Sequence, residues 1–455
     1  METDDVSLRE QLFHDRVREI LICVQLFVCL YILSYLILTH FKKNAEFVTD
    51  DIEDATVNKI ALWLCTFTLS VAVCAVLLLP ISILSNEVLL TFPHSYYVQW
   101  LNGSLIHGLW NLVFLFSNLS LVFLMPFAYF FTESEGFTGS KKGVMARVYE
   151  TAVMLLLLTL LVLGIVWVAS ALLHDNTARE SLYDLWEYYL PYLYSCISLF
   201  GVLLLLFCGI QKLFIQNVFI LCDEEAVCEC AYNCYFTSNA NCTLLTVVPH
   251  PFSSAETRKK ASPWQRNLGY PLAMLLLLAL TVVCVLMVCF HVLELLIDES
   301  AMPRGMEDPH LGLASFSMFG SLGAAVQVVL ILYLMVSSVV GFYSSPLFCS
   351  LLPRTQDTTL TQIIVNCVSL LVLSSALPVF SRTLGITRFD LLGDFGRYNW
   401  LGNFHIVFLY NMLFAGLTSA CLINTVTWAV QRELIRAFGQ FNNSVFRSCL
   451  IAACS

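Results

Sequence analysis

The sequence predicts an all-α polytopic membrane protein with about nine transmembrane helices, an extracellular or luminal N-terminus and a cytoplasmic C-terminus. Three observations predict it: a composition too apolar for water, a series of uncharged runs long enough to cross a bilayer, and an uneven distribution of Lys and Arg between the connecting segments. Of the residues, 58% are hydrophobic and 12% charged, with a mean hydropathy of +0.77. Soluble domains carry about 25% charged residues. The net charge of −10 and the pI near 5.4 speak against nucleic acid as a partner, because phosphate recognition needs a concentrated basic face.

About 20 residues of helix cross a hydrocarbon core, and apolar runs of that kind occupy 20–39, 60–84, 104–131, 152–173, 189–209, 270–297, 317–343, 362–380 and 402–425. The first is expected to stay as a helix. Arg9, Arg16 and Arg18 are mixed with acids before it, and no small-residue cleavage site follows. The third and sixth runs are long enough to imply tilt or an interfacial extension. No repeat at a fixed period suggests the related halves of many carriers. The chain divides into an N-terminal membrane region (1–209, helices 1–5), a cytoplasmic cysteine-rich loop (210–269), a C-terminal membrane region (270–425, helices 6–9) and a cytoplasmic tail (426–455).

Orientation rests on the basic residues, which favour the cytoplasm when they stand in short loops. With the N-terminus outside, the inner segments hold fifteen Lys and Arg and the outer segments eight. Cysteine usage agrees. None of the 18 cysteines falls in an outer segment, whereas Cys222, Cys228, Cys230, Cys234, Cys242, Cys349, Cys449 and Cys454 lie on the inner side, where thiols stay reduced. The sequon at Asn102 lies outside but too near the third helix for good modification. Those at Asn118, Asn241 and Asn442 fall in the membrane or cytosol and read as chance matches.

Ion-coupled transport usually needs ionisable groups within the membrane, and the nine runs contain almost none. Glu294 sits at the outer end of the sixth, and His107, His291 and His405 read as structural. Asn111, Asn118, Gln327, Asn366 and Asn411 read as interhelical hydrogen-bonding groups, a contribution of about 0.6 kcal/mol each. Tyr96, Tyr97, Trp100, Tyr188, Tyr189, Trp264, Tyr398 and Trp400 read as interfacial belts.

No enzyme signature holds. There is no H-E-x-x-H zinc helix, G-x-S-x-G elbow or phosphate-binding loop. Intramembrane aspartyl proteases pair a Tyr-Asp with a Gly-x-Gly-Asp so that two carboxylates share a proton. Here Tyr183-Asp184 and Asp394 both fall in loops, and Leu391 replaces the first glycine. The chain is therefore read as a non-enzyme with no catalytic residue, cofactor or metal. The five cysteines of "CDEEAVCECAYNCYFTSNANC" lack the paired C-x2–4-C units of zinc modules, and reduced or acylated thiols suit them better. "RKKASPWQRN", in the same loop, suits contact with anionic lipid.

The segment "SRTLGITRFDLLGDFGRYNW", 381–400, gathers Arg382, Arg388, Asp390, Asp394 and Arg397 between the eighth and ninth helices on the outer side. Three Arg outside violate the inside preference unless something neutralises them. Asp390 and Asp394 stand at i, i+4 spacing, and Gly385, Gly393, Gly396 and Gly402 permit tight turns. These five charged residues are the structural or partner-contact candidates. They would form an interfacial or re-entrant cap with internally paired charges, as irregular backbone at membrane depth must be buried or face water.

"YVQWLNGSLIHGLWNLVFLFSNLSLVFLMPFAYFFTESEGF", "LGIVWVASAL", "ESLYDLWEYYLPYLYSCIS", "YLMVSSVVGFYSSP" and "LSSALPVFSRTLGITRFDLLGDFGRYNWLGNF" resemble the limb-region membrane protein family, and within it the lipocalin-interacting receptor branch. The resemblance covers nearly all of 1–210 and 258–438. It implies nine helices and an outside N-terminus in the cell membrane and endoplasmic-reticulum membrane. It also implies a receptor that mediates lipocalin uptake and a negative regulator of β-catenin-dependent Wnt signalling. In the second role, ubiquitin-ligase components of the endoplasmic reticulum and Wnt receptors are the implied partners, beside membrane lipids; a homo-oligomer stays open. A more distant relative, the lysosomal cobalamin exporter, keeps a small-molecule carrier as the alternative. The cysteine-rich run replaces the family's charged, helix-forming segment in the large inner loop, and neither it nor the tail after Phe438 carries a functional assignment.

Overall fold

A computed structural model describes residues 2–43, 52–92, 103–133, 144–173, 193–207, 270–297, 320–345, 348–387 and 403–420, with a few more up to 427. Among them the regular elements are all helices, and Lys42 and Thr358 form an isolated β-bridge. Its long elements are α1 (Glu2–Phe41), α2 (Ile52–Thr91), α3 (Gly103–Leu119), α4 (Met125–Glu133), α5 (Val144–Leu173), α6 (Leu193–Phe207), α7 (Tyr270–Ile297), α8 (Gly320–Ser344), α9 (Leu360–Ser375), α10 (Leu377–Thr383) and α11 (Phe404–Ala420). Seven spans are long and apolar enough to cross a membrane, and α6 and α11 are shorter apolar helices at the fifth and ninth expected positions. An all-helical chain is what lipid demands, because a helix satisfies its own backbone hydrogen bonds where no water can.

Three prolines shape the helices. Pro80 stands inside α2, where it removes the N–H that would reach the Val76 carbonyl. Pro126 follows a single π-helical turn, Ser120–Leu124, and the Met125 N–H reaches back five residues to the Ser120 carbonyl. A proline ring crowds the carbonyl four residues before it, and the widened turn relieves that crowding. The third expected run is therefore one apolar stretch, Leu105–Glu133, with a widened turn in the middle. Pro378 opens α10 after a break at Ala376, so the eighth run, expected over 362–380, is a broken helix from Leu360 to Thr383.

The chain forms two units. The first comprises Met1–Leu205, Asp298–Met335 and Leu351–Val407, and the second Leu206–Ile297, Val336–Ser350 and Phe408–Ser455. In the first, α2 is the central helix, with α1, α3, α4 and α9 packed on it. The buried side chains are Ala61, Leu62, Cys65 and Leu69 of α2, Leu38 of α1, Met125 and Ala128 of α4, and Leu360, Ile363, Ile364 and Cys367 of α9. Small residues let the backbones approach, the usual source of helix affinity where lipid is as apolar as leucine. The buried Cys65 and Cys367 side chains belong to the same cluster at the α2–α9 contact. In the second unit, α7 buries Cys284, Val288, Val292 and Leu295 on one side and exposes Leu275, Leu286, Phe290 and Leu293 on the other.

One end of the first unit is tied by polar contacts. The Lys43 N–H donates to the Thr358 carbonyl (3.1 Å) and the Thr358 N–H to the Phe41 carbonyl (3.3 Å), which docks the α8–α9 connection on the end of α1. Thr359 caps α9 by a reciprocal pair of bonds with Gln362, the arrangement that satisfies two orphan donors at a helix start. Arg147 of α5 meets Asp54 of α2 at 2.7 Å. Among the described residues, three of the segments expected on the inner side, near Lys43, Arg147 and Thr358, thus share one end of this unit.

Because the Arg147 side chain is 10% exposed, Asp54→Ala should cost about 1.5–3 kcal/mol, the usual loss for a charged hydrogen bond. The exchanged pair Asp54→Arg with Arg147→Asp should recover most of it. Heating the detergent-solubilised variants and following the monodisperse peak by size exclusion checks this, and an exchanged pair no better than the single variant would refute it.

Candidate functional site

The most elaborate polar construction in the first unit surrounds the break between α9 and α10. Two α-helical bonds frame the interruption at Ala376: its N–H reaches the Val372 carbonyl at 3.3 Å, and the Phe380 N–H reaches the Ala376 carbonyl at 2.9 Å. Pro378 offers no N–H to the preceding turn. The Ser375 carbonyl, beside this break, accepts a hydrogen bond from the Tyr194 hydroxyl of α6 at 2.9 Å, and both residues are buried. An unsatisfied polar group here would cost several kcal/mol, since no water competes for it.

Tyr194 can reach the break because α6 lies close to it. A Cβ placed on Gly201 would stand 2.5 Å from the Ala376 Cβ and 2.8 Å from the Val372 carbonyl oxygen. Only glycine fits. From Tyr194 the contact continues through the Phe114 ring at 4.5 Å to Trp110, stacked at 5.4 Å. The Trp110 Nε1–H donates to Ser82 Oγ at 3.0 Å, and Ser82 donates to the Leu78 carbonyl at 2.7 Å. Four helices, α2, α3, α6 and α9, are thereby joined by a buried seam whose heteroatoms are partnered.

Below the break the chain closes on itself. The Ile386 and Thr387 N–H groups donate to the Ser381 carbonyl, at 2.9 and 3.3 Å, and the Ser381 and Thr387 hydroxyls lie 3.0 Å apart. Gly385 takes a left-handed φ of 71° in this turn, a conformation that costs glycine nothing. Arg382, expected in the outer connection, is instead in the last turn of α10 and 8% exposed. The helix runs past the end of the apolar pattern because its last turn is packed against protein. Arg388, Asp390, Asp394 and Arg397 lie outside the described residues, so the charge pairing expected for them does too, as does the cysteine-rich loop.

The other polar residues of the helices divide by their surroundings. Asn366 donates to the Leu351 carbonyl at 2.8 Å, which fixes the short turn before α9. His291 is buried with its Nδ1 4.0 Å from Glu294. His405 is exposed, and its backbone N–H is held by the Asn403 side chain at the start of α11. Among the described residues, no three His, Cys, Asp or Glu come together as metal ligands would. Sequence reasoning missed Tyr194, Gly201 and Ser375. Pro378 lies inside the eighth expected run, and nothing in the spacing names the phenol that reaches the residue beside Ala376.

A match to the LMBR1-like membrane proteins covers residues 19–210 and 237–426. The chain belongs to this family. It is 79% identical to limb region 1 homolog-like protein of Danio rerio, over 96% of this chain and 94% of that protein. Protein LMBR1L of Homo sapiens is 65% identical over 95% of this chain and 94% of that one. Limb region 1 protein homolog of Gallus gallus is 57% identical over 96% and 95%. These identities support the LMBR1L-like branch. No solved structure matches the chain. The family match resumes at 237, earlier than the expected 258, so the departure narrows to 211–236, which holds Cys222, Cys228, Cys230 and Cys234 but not Cys242.

Gly201→Val should cost about 1–3 kcal/mol by overpacking, and Tyr194→Phe about 0.5–1.5 kcal/mol by removing the hydrogen bond to the Ser375 carbonyl. Both would appear as lower unfolding temperatures in detergent. In the double variant the losses should add incompletely, since both act on one break; full additivity would argue against a shared seam.

Proposed function

We propose that this multi-pass membrane protein is a receptor and adaptor, which binds protein partners at its membrane surfaces and delivers them to uptake or degradation. The observation that carries the reading is the branch-level likeness across nearly the whole chain. The resemblance implies lipocalin binding and endocytosis for that branch. It also implies restraint of β-catenin-dependent Wnt signalling through ubiquitin-ligase components of the endoplasmic reticulum and Wnt receptors. Cell membrane and endoplasmic-reticulum membrane are the compartments this requires, with the N-terminus outside.

The charge distribution supports the reading. Among the described residues, acids and bases of the spanning helices stand near helix ends: Asp54, Lys59 and Arg147 at one, Glu87 and Arg382 toward the other. A proton- or ion-coupled carrier draws on charges within the membrane, whereas an adaptor needs shaped, polar ends. Of the five charged residues in 381–400, the four beyond Arg382 suit an outward contact surface or cap. Asp394→Arg should reduce delivery to the cell surface and protease resistance, and wild-type values of both would remove the cap from the proposal.

Affinity purification of the full chain from cells in mild detergent, with mass spectrometry of proteins and small molecules, tests the function. Recovery of ubiquitin-ligase subunits with Wnt receptors is the expected result. A bound small molecule without those proteins would overturn it in favour of a carrier.

A further inference from the structure

The isolated parallel β-bridge between Lys42 and Thr358 joins segments far apart in sequence. Lys42 directly follows the apolar span Ile20–Phe41, and Thr358 stands just before the span Leu360–Thr383, so the bridge lies at the depth where lipid headgroups meet the protein. Its two bonds run from the Thr358 N–H to the Phe41 carbonyl and from the Lys43 N–H to the Thr358 carbonyl, which fixes the register. Side chains of a bridged pair leave the backbone on one side, and the next residue along leaves on the other. Lys42 therefore shares a side with Thr358, and Lys43 does not.

The Thr358 hydroxyl brings Arg354 to that same side. It accepts from the Arg354 N–H at 3.0 Å and donates to the Arg354 carbonyl at 2.7 Å. Arg354 is exposed and Lys42 half-buried, so the pair is open to a headgroup without any cavity. Among the described residues the Arg354 guanidinium makes no ion pair or hydrogen bond, and Asp357, the exposed acid of the same turn, makes no ion pair. Arg147, at the same end, is instead held by Asp54. Water can satisfy an exposed arginine, but at headgroup depth the abundant partners are lipid phosphates. Two cations side by side balance a dianion, and the guanidinium fork holds two oxygens of one phosphate. A phosphomonoester approaches that charge near neutral pH, whereas a phosphodiester or a carboxylate carries a single charge.

We propose that Lys42 and Arg354 bind the phosphomonoester headgroup of an anionic lipid, a phosphorylated inositol lipid or phosphatidic acid, across the bridge between α1 and the α8–α9 connection. The lipid strengthens a tie that α1 needs, because only 11% of its span is buried. The orientation expected from the basic residues would put this end in the cytoplasmic leaflet, whose surface is anionic. The site is independent of the receptor reading, since it requires no protein partner.

The test adds phosphatidylinositol monophosphate, phosphatidic acid, phosphatidylcholine or soluble glycerophosphate to the full-length protein in detergent. Retained lipid is read by native mass spectrometry, and the unfolding temperature is followed in parallel. At least one phosphomonoester lipid should be retained and should raise the unfolding temperature, and phosphatidylcholine should do neither. Lys42→Gln and Arg354→Gln should each weaken retention about fivefold, the factor that one basic residue at an anionic surface represents, with the lipid-free unfolding temperature unchanged. Lys43→Gln removes the same charge one residue along, on the other side of the bridge, and should leave retention near wild type. A loss in Lys43→Gln equal to that in Lys42→Gln would reduce the effect to net surface charge and overturn the site. Equal retention of phosphatidylcholine, stabilisation by glycerophosphate but by neither phosphomonoester lipid, or retention unchanged in both Lys42→Gln and Arg354→Gln would overturn it as well.

Discussion

A broken helix in an apolar bundle imposes a strict requirement: the backbone groups released by the break must be partnered inside the protein, because lipid offers them nothing. Beside the interruption at Ala376, the Tyr194 hydroxyl donates to the Ser375 carbonyl. Several contacts of the first unit are arranged around that bond. A phenol reaches a carbonyl on another helix only if the two axes are close, so α6 needs Gly201 where it crosses Val372 and Ala376. Tyr194, once placed, presents its ring to Phe114, and Phe114 sets Trp110 against Ser82. The long central helix α2 is thereby joined to the break without contributing a residue to it.

The three prolines show how one local defect can be resolved differently. Each removes an N–H and crowds the preceding turn. At Pro80 the helix continues, and Ser82 both donates to the Leu78 carbonyl and accepts from Trp110, so a hydroxyl beside the defect becomes a cross-helix tie. At Pro126 the helix widens by one residue into a π turn, which shifts the register of α4 against α3 and sets Met125 and Ala128 in the core against Cys65 and Ile363. At Pro378 the helix stops and restarts, and the second piece is short enough to be wholly buried, Arg382 included. Local neighbours decide among these outcomes: a hydroxyl, a following apolar turn, or a partner helix with a glycine.

Much of this was legible in the sequence and the remainder was not, for identifiable reasons. Hydropathy located the spans because the lipid solvent acts on each helix separately, and the seven long helices and two short ones fall on the nine expected runs. Arg382 was misplaced because charge usually marks the end of a span. Here the last turn of α10 is protein-covered, and burial rather than lipid sets its boundary. Asn366 was expected between helices, and its bond to the Leu351 carbonyl is a tie to a turn that composition does not reveal. Tyr194 drew no reading of its own, since a hydrogen bond spanning 181 residues of sequence leaves no periodic trace. The clustering of Cys65 with Cys367 is hidden in the same way.

The separation of charge from core bears on what the protein can do. Moving an ion or proton through a bundle takes interior groups whose charge state changes, and such groups are costly unless they are paired or solvated. Among the described residues the first unit's interior is held largely by neutral hydrogen bonds and small-residue packing, with Arg382 buried in the last turn of α10, while Asp54 with Arg147 and the Thr358 docking contact tie one end. Neutral hydrogen bonds in this setting are worth little individually, about 0.6 kcal/mol, so the bundle's definition comes from shape: glycine against alanine, ring against ring. A core defined by shape holds its helix ends in fixed relation. Fixed ends suit recognition of other proteins, because a surface ordered beforehand loses less entropy on binding than one that must be assembled.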